Sequence, residues 1–136
     1  MIIAIRKVLR KDKYMSRNVI TGEIYKEERP LFAAEDTDVC DCTFDVGESP
    51  LKEAKDINVR GGAFKWKYPL WYAKNIDVEG TYFGEKARAG VWYSQNVSIK
   101  DCQVDAPKEF RKCKNISISD IVIDNEKVQE ATSALQ

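Results

Sequence analysis

The sequence predicts an all-β solenoid: a single-stranded, right-handed parallel β-helix of about five coils. Three patterns predict it. Phe44, Phe64, Phe83, Val104 and Ile123 recur at spacings of 20, 19, 21 and 19 residues. Five positions before each stands an apolar residue (Val39, Val59, Val78, Ile99, Ile118), and eight before stands an amide or carboxylate (Asp36, Asp56, Asn75, Asn96, Asn115). A further apolar column, Leu31, Leu51, Leu70, Val91 and Phe110, completes the repeat. A period near twenty built from β-forming residues makes each repeat one turn of the chain.

Residues 1–27 precede the first full repeat and are expected to form an N-terminal extension and cap. Ile2, Ile5, Val8 and Leu9 fit one face of a short helix, made basic by Arg6, Lys7, Arg10, Lys11 and Lys13 against only Asp12. Residues 28–123 hold the coils. Each opens with alternating apolar and polar residues, as in Lys55-Asp56-Ile57-Asn58-Val59 and Gln95-Asn96-Val97-Ser98-Ile99. That period of two belongs to a strand with one buried face. Asp41, Gly61, Gly80, Asp101 and Asp120 follow as turn residues tolerant of unusual dihedrals. A second run closes each coil, as in Pro50-Leu51-Lys52-Glu53-Ala54 and Pro69-Leu70-Trp71-Tyr72-Ala73. Strands one coil apart run parallel, and such crossovers are right-handed by strong preference. Past Ile123 the motif fades. Residues 124–136 are expected to be a C-terminal cap or tail, with Val128, Ala131 and Leu135 at helical spacing.

The polar columns have structural explanations. Asp36, Asp56, Asn75, Asn96 and Asn115 are expected to stack as a side-chain ladder at a bend, bonding groups that the turn leaves free. Cys40, Arg60, Glu79, Lys100 and Ser119 form an outward column that sets opposite charges on adjacent coils. Asp101 and Asp120 fall in one turn column, where turn chemistry accounts for them better than a catalytic carboxylate pair.

The 136 residues suit one domain, and 22 basic residues cancel 22 acidic ones. No global field recruits nucleic acid. No run approaches the ~20 apolar residues of a membrane span, and Arg6 interrupts any secretory leader. Cys42 and Cys102 share a column three coils apart, ~14 Å at the usual strand spacing, beyond disulfide reach. Cys40 and Cys42 point to opposite faces, and Cys113 has no evident partner. Reduced thiols imply a cytoplasmic location.

Five segments carry a resemblance: Glu28–Ala33, Gly47–Glu53, Phe64–Tyr72, Ala87–Tyr93 and Ala106–Arg111. Over Glu28–Asn115 the chain resembles an uncharacterised bacterial family of pectin-lyase-like proteins, domain of unknown function thirty-seven thirty-seven. The resemblance implies a right-handed parallel β-helix and no assigned activity. Residues 1–18 match nothing at the start of that family, and its members continue for several more coils, so the chain reads as a shortened member.

The densest chemistry lies between Lys65 and Tyr93. Trp71 and Trp92 share a column on adjacent coils, as do Tyr72 and Tyr93. One of the two pairs should face outward, because successive strand residues point to opposite sides. Flanked by Lys65, Lys67 and Arg88, such rings would suit stacking on sugars, with cations for carboxylates or sulfates. An aromatic stack that only stabilises the solenoid is the competing explanation. Hydrolases of the pectin-lyase-like type need an Asn-Thr-Asp string, an Asp-Asp pair and a His-Gly step; none occurs, and the chain has no His. The lyases use an Arg or Lys base with calcium; Arg88 or Lys67 could serve, but no acidic trio stacks beside them. No catalytic residue, metal ligand or cofactor is assigned. The leading expectation is a protein that binds acidic oligosaccharide through Lys65, Lys67, Trp71, Tyr72, Arg88, Trp92 and Tyr93. The alternatives are a structural module that self-associates through the solenoid ends, and a polysaccharide lyase.

Overall fold

The computed structural model describes the backbone of Arg6–Leu9 and residues 16–123. Six coils follow one another, each made of a long strand, a tight turn and a two-residue strand. They are β2 (Ser16–Thr21) with β3 (Ile24–Tyr25), β4 (Glu35–Cys40) with β5 (Thr43–Phe44), and β6 (Lys55–Arg60) with β7 (Ala63–Phe64). Then come β8 (Lys74–Glu79) with β9 (Tyr82–Phe83), β10 (Gln95–Lys100) with β11 (Gln103–Val104), and β12 (Lys114–Ser119) with β13 (Val122–Ile123). The long strands stack in chain order as one parallel sheet and the short ones as a second. The fold is a right-handed parallel β-helix, with no helix among the described residues.

Two features differ from the sequence reading. The first strand, β1 (Arg6–Leu9), pairs antiparallel with β2, so Val8 and Leu9 lie in a strand and not on a helical face. This strand covers the sheet edge that the first coil would otherwise expose. Residues Ile2 and Ile5, and the helix expected over 124–136, lie outside the described residues. The coils also begin earlier than residue 28. Tyr25 pairs one coil above Phe44, adding a turn that the repeat columns did not include.

Register follows the columns. Val39, Val59, Val78, Ile99 and Ile118 are successive Cα partners. Inside, Tyr25, Phe44, Phe64 and Phe83 form a continuous ring stack with centroids 5.2, 4.8 and 5.1 Å apart. Phe64 and Phe83 are wholly buried vertical neighbours. This spacing is the strand separation itself, so the backbone sets each ring at contact distance from the next.

A third face carries no β-strand. Leu51, Leu70, Val91 and Phe110 have φ of 58, 60, 58 and 63°, and every second neighbour is also left-handed. This alternation turns the N–H groups of every second residue toward opposite coils in turn. Ser49 donates to the Lys67 carbonyl one coil ahead, Leu51 to Pro30 one coil behind, and Glu53 to Trp71 ahead again. Left-handed geometry costs a non-glycine residue roughly 1–2 kcal/mol. Inter-coil hydrogen bonds and complete burial of Leu51, Leu70 and Val91 offset that cost.

The amide ladder is present. Asn115 donates to Asn96 at 3.0 Å, Asn96 to Asn75 at 2.9 Å, and Asn75 to the Asp56 carboxylate at 2.8 Å. All four have φ of 56–58°, the left-handed region that Asn and Asp tolerate best. Arg17, buried at the first coil, bonds the Asp38 carboxylate at 2.6 Å and the carbonyls of Thr37 and Asp56, tying three coils together. In the outward column Arg60 meets Glu79 at 3.7 Å and Asp77 at 3.2 Å.

None of the four cysteines forms a disulfide among the described residues. Burial pushes the thiols of Cys42, Cys102 and Cys113 up, which leaves them protonated and weakly nucleophilic near neutrality.

Candidate functional site

The four aromatic residues singled out from the sequence come together as a ladder on the third face. Trp71 and Trp92 stack at 5.1 Å with an 11° angle between planes, and Tyr72 and Tyr93 stack at 5.0 Å and 15°. Edge-on contacts at 5.8–6.3 Å join the two pairs. The expectation that only one pair faces outward does not hold, since none of the four is buried. The left-handed residues on either side remove strand alternation, and the inward positions go to Leu70 and Val91 instead.

The two indoles of the ladder spend ring faces on internal contacts. Stacking along the solenoid axis sets one Trp face against the next. The far face of Trp92 carries the Arg111 guanidinium at 5.1 Å, a cation–π contact. Tyr68 lies 5.3 Å from Trp71. Each indole is also pinned to backbone: Trp71 donates to the Ala89 carbonyl and Trp92 to that of Lys108, the latter at 2.6 Å. These contacts suit the two indoles to bracing the solenoid, while Tyr72 stays 53 % exposed.

A different surface gathers the cations. Trp66 sits half-buried in the connection after β7, with Lys67 Nζ 5.4 Å and Lys86 Nζ 5.6 Å from its ring centroid. Trp66, Lys67, Lys86, Arg88, Glu85 and Pro107 line an open groove. Lys67, Arg88 and Pro107 occupy one level on successive coils, since Tyr68 donates to the Arg88 carbonyl and Ala89 to that of Pro107.

The groove exists because one coil is longer than its neighbours. Phe64 and Leu70 are six positions apart, but Phe83 and Val91 are eight. The two additional residues form a turn closed by the Ala87 N–H to the Gly84 carbonyl at 2.9 Å, with Glu85 and Lys86 at its tip. That tip overhangs Trp66 and brings Lys86 to its ring. On its other side a second depression is lined by Lys65, Tyr82, Gly84 and Asp105, together with Glu85 and Lys86. There the Tyr82 hydroxyl donates to Asp105 at 2.8 Å.

The residues chosen from the sequence therefore fall into two groups. Trp71, Tyr72, Trp92 and Tyr93 make the ladder. Lys67 and Arg88 line the Trp66 groove, and Lys65 lines the adjoining depression. Trp66, Lys86 and Arg111 were missed. Arg111 stands in the column of Trp71 and Trp92 at the repeat spacing, a visible signal. Trp66 has no aromatic or basic residue at the matching position of a neighbouring coil, so a search by columns passes over it, whereas Lys86 stands 19 residues after Lys67 and carried a visible signal.

Glu109 is a further buried charge that the columns did not reveal. It follows Pro30, Pro50, Pro69 and Gly90 in one column, and its side chain fills the space that the absent Gly90 side chain leaves open. Burial pushes its carboxyl well above the usual glutamate value, opposed by a hydrogen bond from the Gly90 N–H. Among the described residues no three His, Cys, Asp or Glu side chains converge as metal ligands.

No curated protein and no solved structure matches the chain. The model of one family, described as "Protein of unknown function (DUF3737)", matches residues 18–133. Its span runs from within β2 through β13, and the chain belongs to that family.

Proposed function

We propose that the protein is a binding module for acidic oligosaccharide, and that the Trp66 groove is where the acid group docks. One observation carries this reading: Lys67 and Lys86 sit against a half-buried indole, Arg88 lines the same groove, and the one carboxylate lining it is Glu85. An aromatic ring beside a proline offers a flat apolar floor for a sugar face, and the cations at its rim suit a carboxylate or sulfate. The chain is neutral overall, so the attraction is local and acts at short range. The Trp71–Trp92 ladder acts as a brace of the solenoid beside the groove.

The test is titration of the intact protein with oligogalacturonate and with a neutral glucan of equal length. Binding of the acidic chain alone, weakened at least about tenfold in Lys67→Ala/Arg88→Ala and by added salt, supports the reading. Equal binding of both chains, or of neither, overturns it.

A second reading, self-association through the end of the solenoid, draws on the last described coil. Ile116, Ile118, Ile121 and Ile123 there are only partly buried, whereas their counterparts Val97, Ile99, Cys102 and Val104 are fully buried. Solution mass decides it: a dimer that Ile118→Asp dissociates supports assembly, and a monomer at high concentration opposes it.

A further inference from the structure

Resting on that reading, we infer that the preferred ligand is a mixed chain. An acidic sugar lies in the Trp66 groove, and a neutral, hydroxyl-bearing sugar follows it in the depression across the Glu85–Lys86 tip. The two hollows share Glu85 and Lys86, so one chain can pass from the first to the second without leaving the surface. Their charges differ. The Trp66 groove sets three cations, Lys67, Lys86 and Arg88, against Glu85. The second hollow sets two cations, Lys65 and Lys86, against two carboxylates, Glu85 and Asp105, a net of zero.

Asp105 is held in place there. It accepts from the Tyr82 hydroxyl at 2.8 Å and from the Gln103 amide at 3.2 Å. A fixed carboxylate accepts hydrogen bonds from sugar hydroxyls and repels a second carboxylate, so it selects as well as binds. The Tyr82 ring lies over Gly84, where an added Cβ would come within 3.3 Å of its Cε2 atom. Gly84 thus lets the ring settle as the floor of the second hollow. A chain acidic at every unit would place one charge against Asp105, whereas an alternating chain would not.

The experiment is calorimetric titration of the intact protein with three tetrasaccharides: tetragalacturonate, a hyaluronan tetrasaccharide that alternates acidic with neutral units, and neutral chitotetraose. The alternating chain should bind about tenfold more tightly than tetragalacturonate, and Asp105→Asn should narrow that gap by strengthening tetragalacturonate. Tetragalacturonate binding as well as or better than the alternating chain overturns the mixed-chain inference and leaves the acidic-glycan reading standing. If neither acidic chain binds, or chitotetraose matches them, the acidic-glycan reading itself falls.

Discussion

Glu109 reaches one coil back to accept the Gly90 N–H at 2.7 Å, while its other carboxylate oxygen is buried with no hydrogen-bond partner. A half-satisfied buried carboxyl is more stable with its proton on. Unfolded, Glu109 titrates near the ordinary value of about 4.3; folded, burial raises it well above that. Between the two values the folded state binds more protons, so stability from this group falls as pH rises through the window. Below the window its contribution is fully present. Glu109→Gln keeps the acceptor for Gly90 and carries no charge. Thermal melting at pH 4 and pH 8 should show the variant matching the wild type at pH 4 and exceeding it at pH 8.

The same pair predicts a coupled double variant. A Cβ at Gly90 would lie 2.3 Å from a Glu109 carboxylate oxygen and 3.0 Å from Pro69 Cγ. Gly90→Ala alone should destabilise by about 1–3 kcal/mol through overpacking. Combined with Glu109→Ala, much of that cost should disappear. Urea unfolding of both singles and the double measures the coupling.

The ring stack should dominate core stability. Phe64 is wholly buried, with Phe44 on one side at 4.8 Å and Phe83 on the other at 5.1 Å. Phe64→Ala removes an interior ring of the four-ring stack and should cost about 3–5 kcal/mol by denaturant unfolding.

Position within the amide ladder should grade its variants. Asn75 both donates to Asp56 and accepts from Asn96, whereas Asn115 is seen only to donate, to Asn96. Asn75→Ala breaks two links and leaves the Asn96 donor unmatched, at about 1–2 kcal/mol. Asn115→Ala should cost less, since it removes one link at an exposed residue.

These contrasts show what the sequence made legible. Features that recur once per coil were readable: the Phe column, the Val and Ile column, the Asn ladder and the cysteines, too far apart to bridge, all stand where the period places them. The first coil carried the same signal, because Tyr25 precedes Phe44 by 19 residues. Its polar neighbours and the basic run before it hid the repeat. Backbone handedness was not readable at Leu51, Leu70 and Val91. Their propensities suit strands, and only the inter-coil hydrogen bonds hold them left-handed. That misread alternation is why the Trp and Tyr columns looked like one inner and one outer pair. The groove came from an irregularity. The spacing of 21 between Phe83 and Val104 marked a longer coil, but only three dimensions show its tip overhanging Trp66.

Trp66 and Trp71 separate the two roles, one for binding and one for bracing. The most direct measurement is oligouronate affinity, by titration calorimetry, for Trp66→Ala and Trp71→Ala beside the wild type. Trp66→Ala should lose at least about tenfold in affinity with little change in melting temperature. Trp71→Ala should melt earlier but bind as the wild type does. Loss of binding in Trp71→Ala, with Trp66→Ala unaffected, would rule out this division of roles.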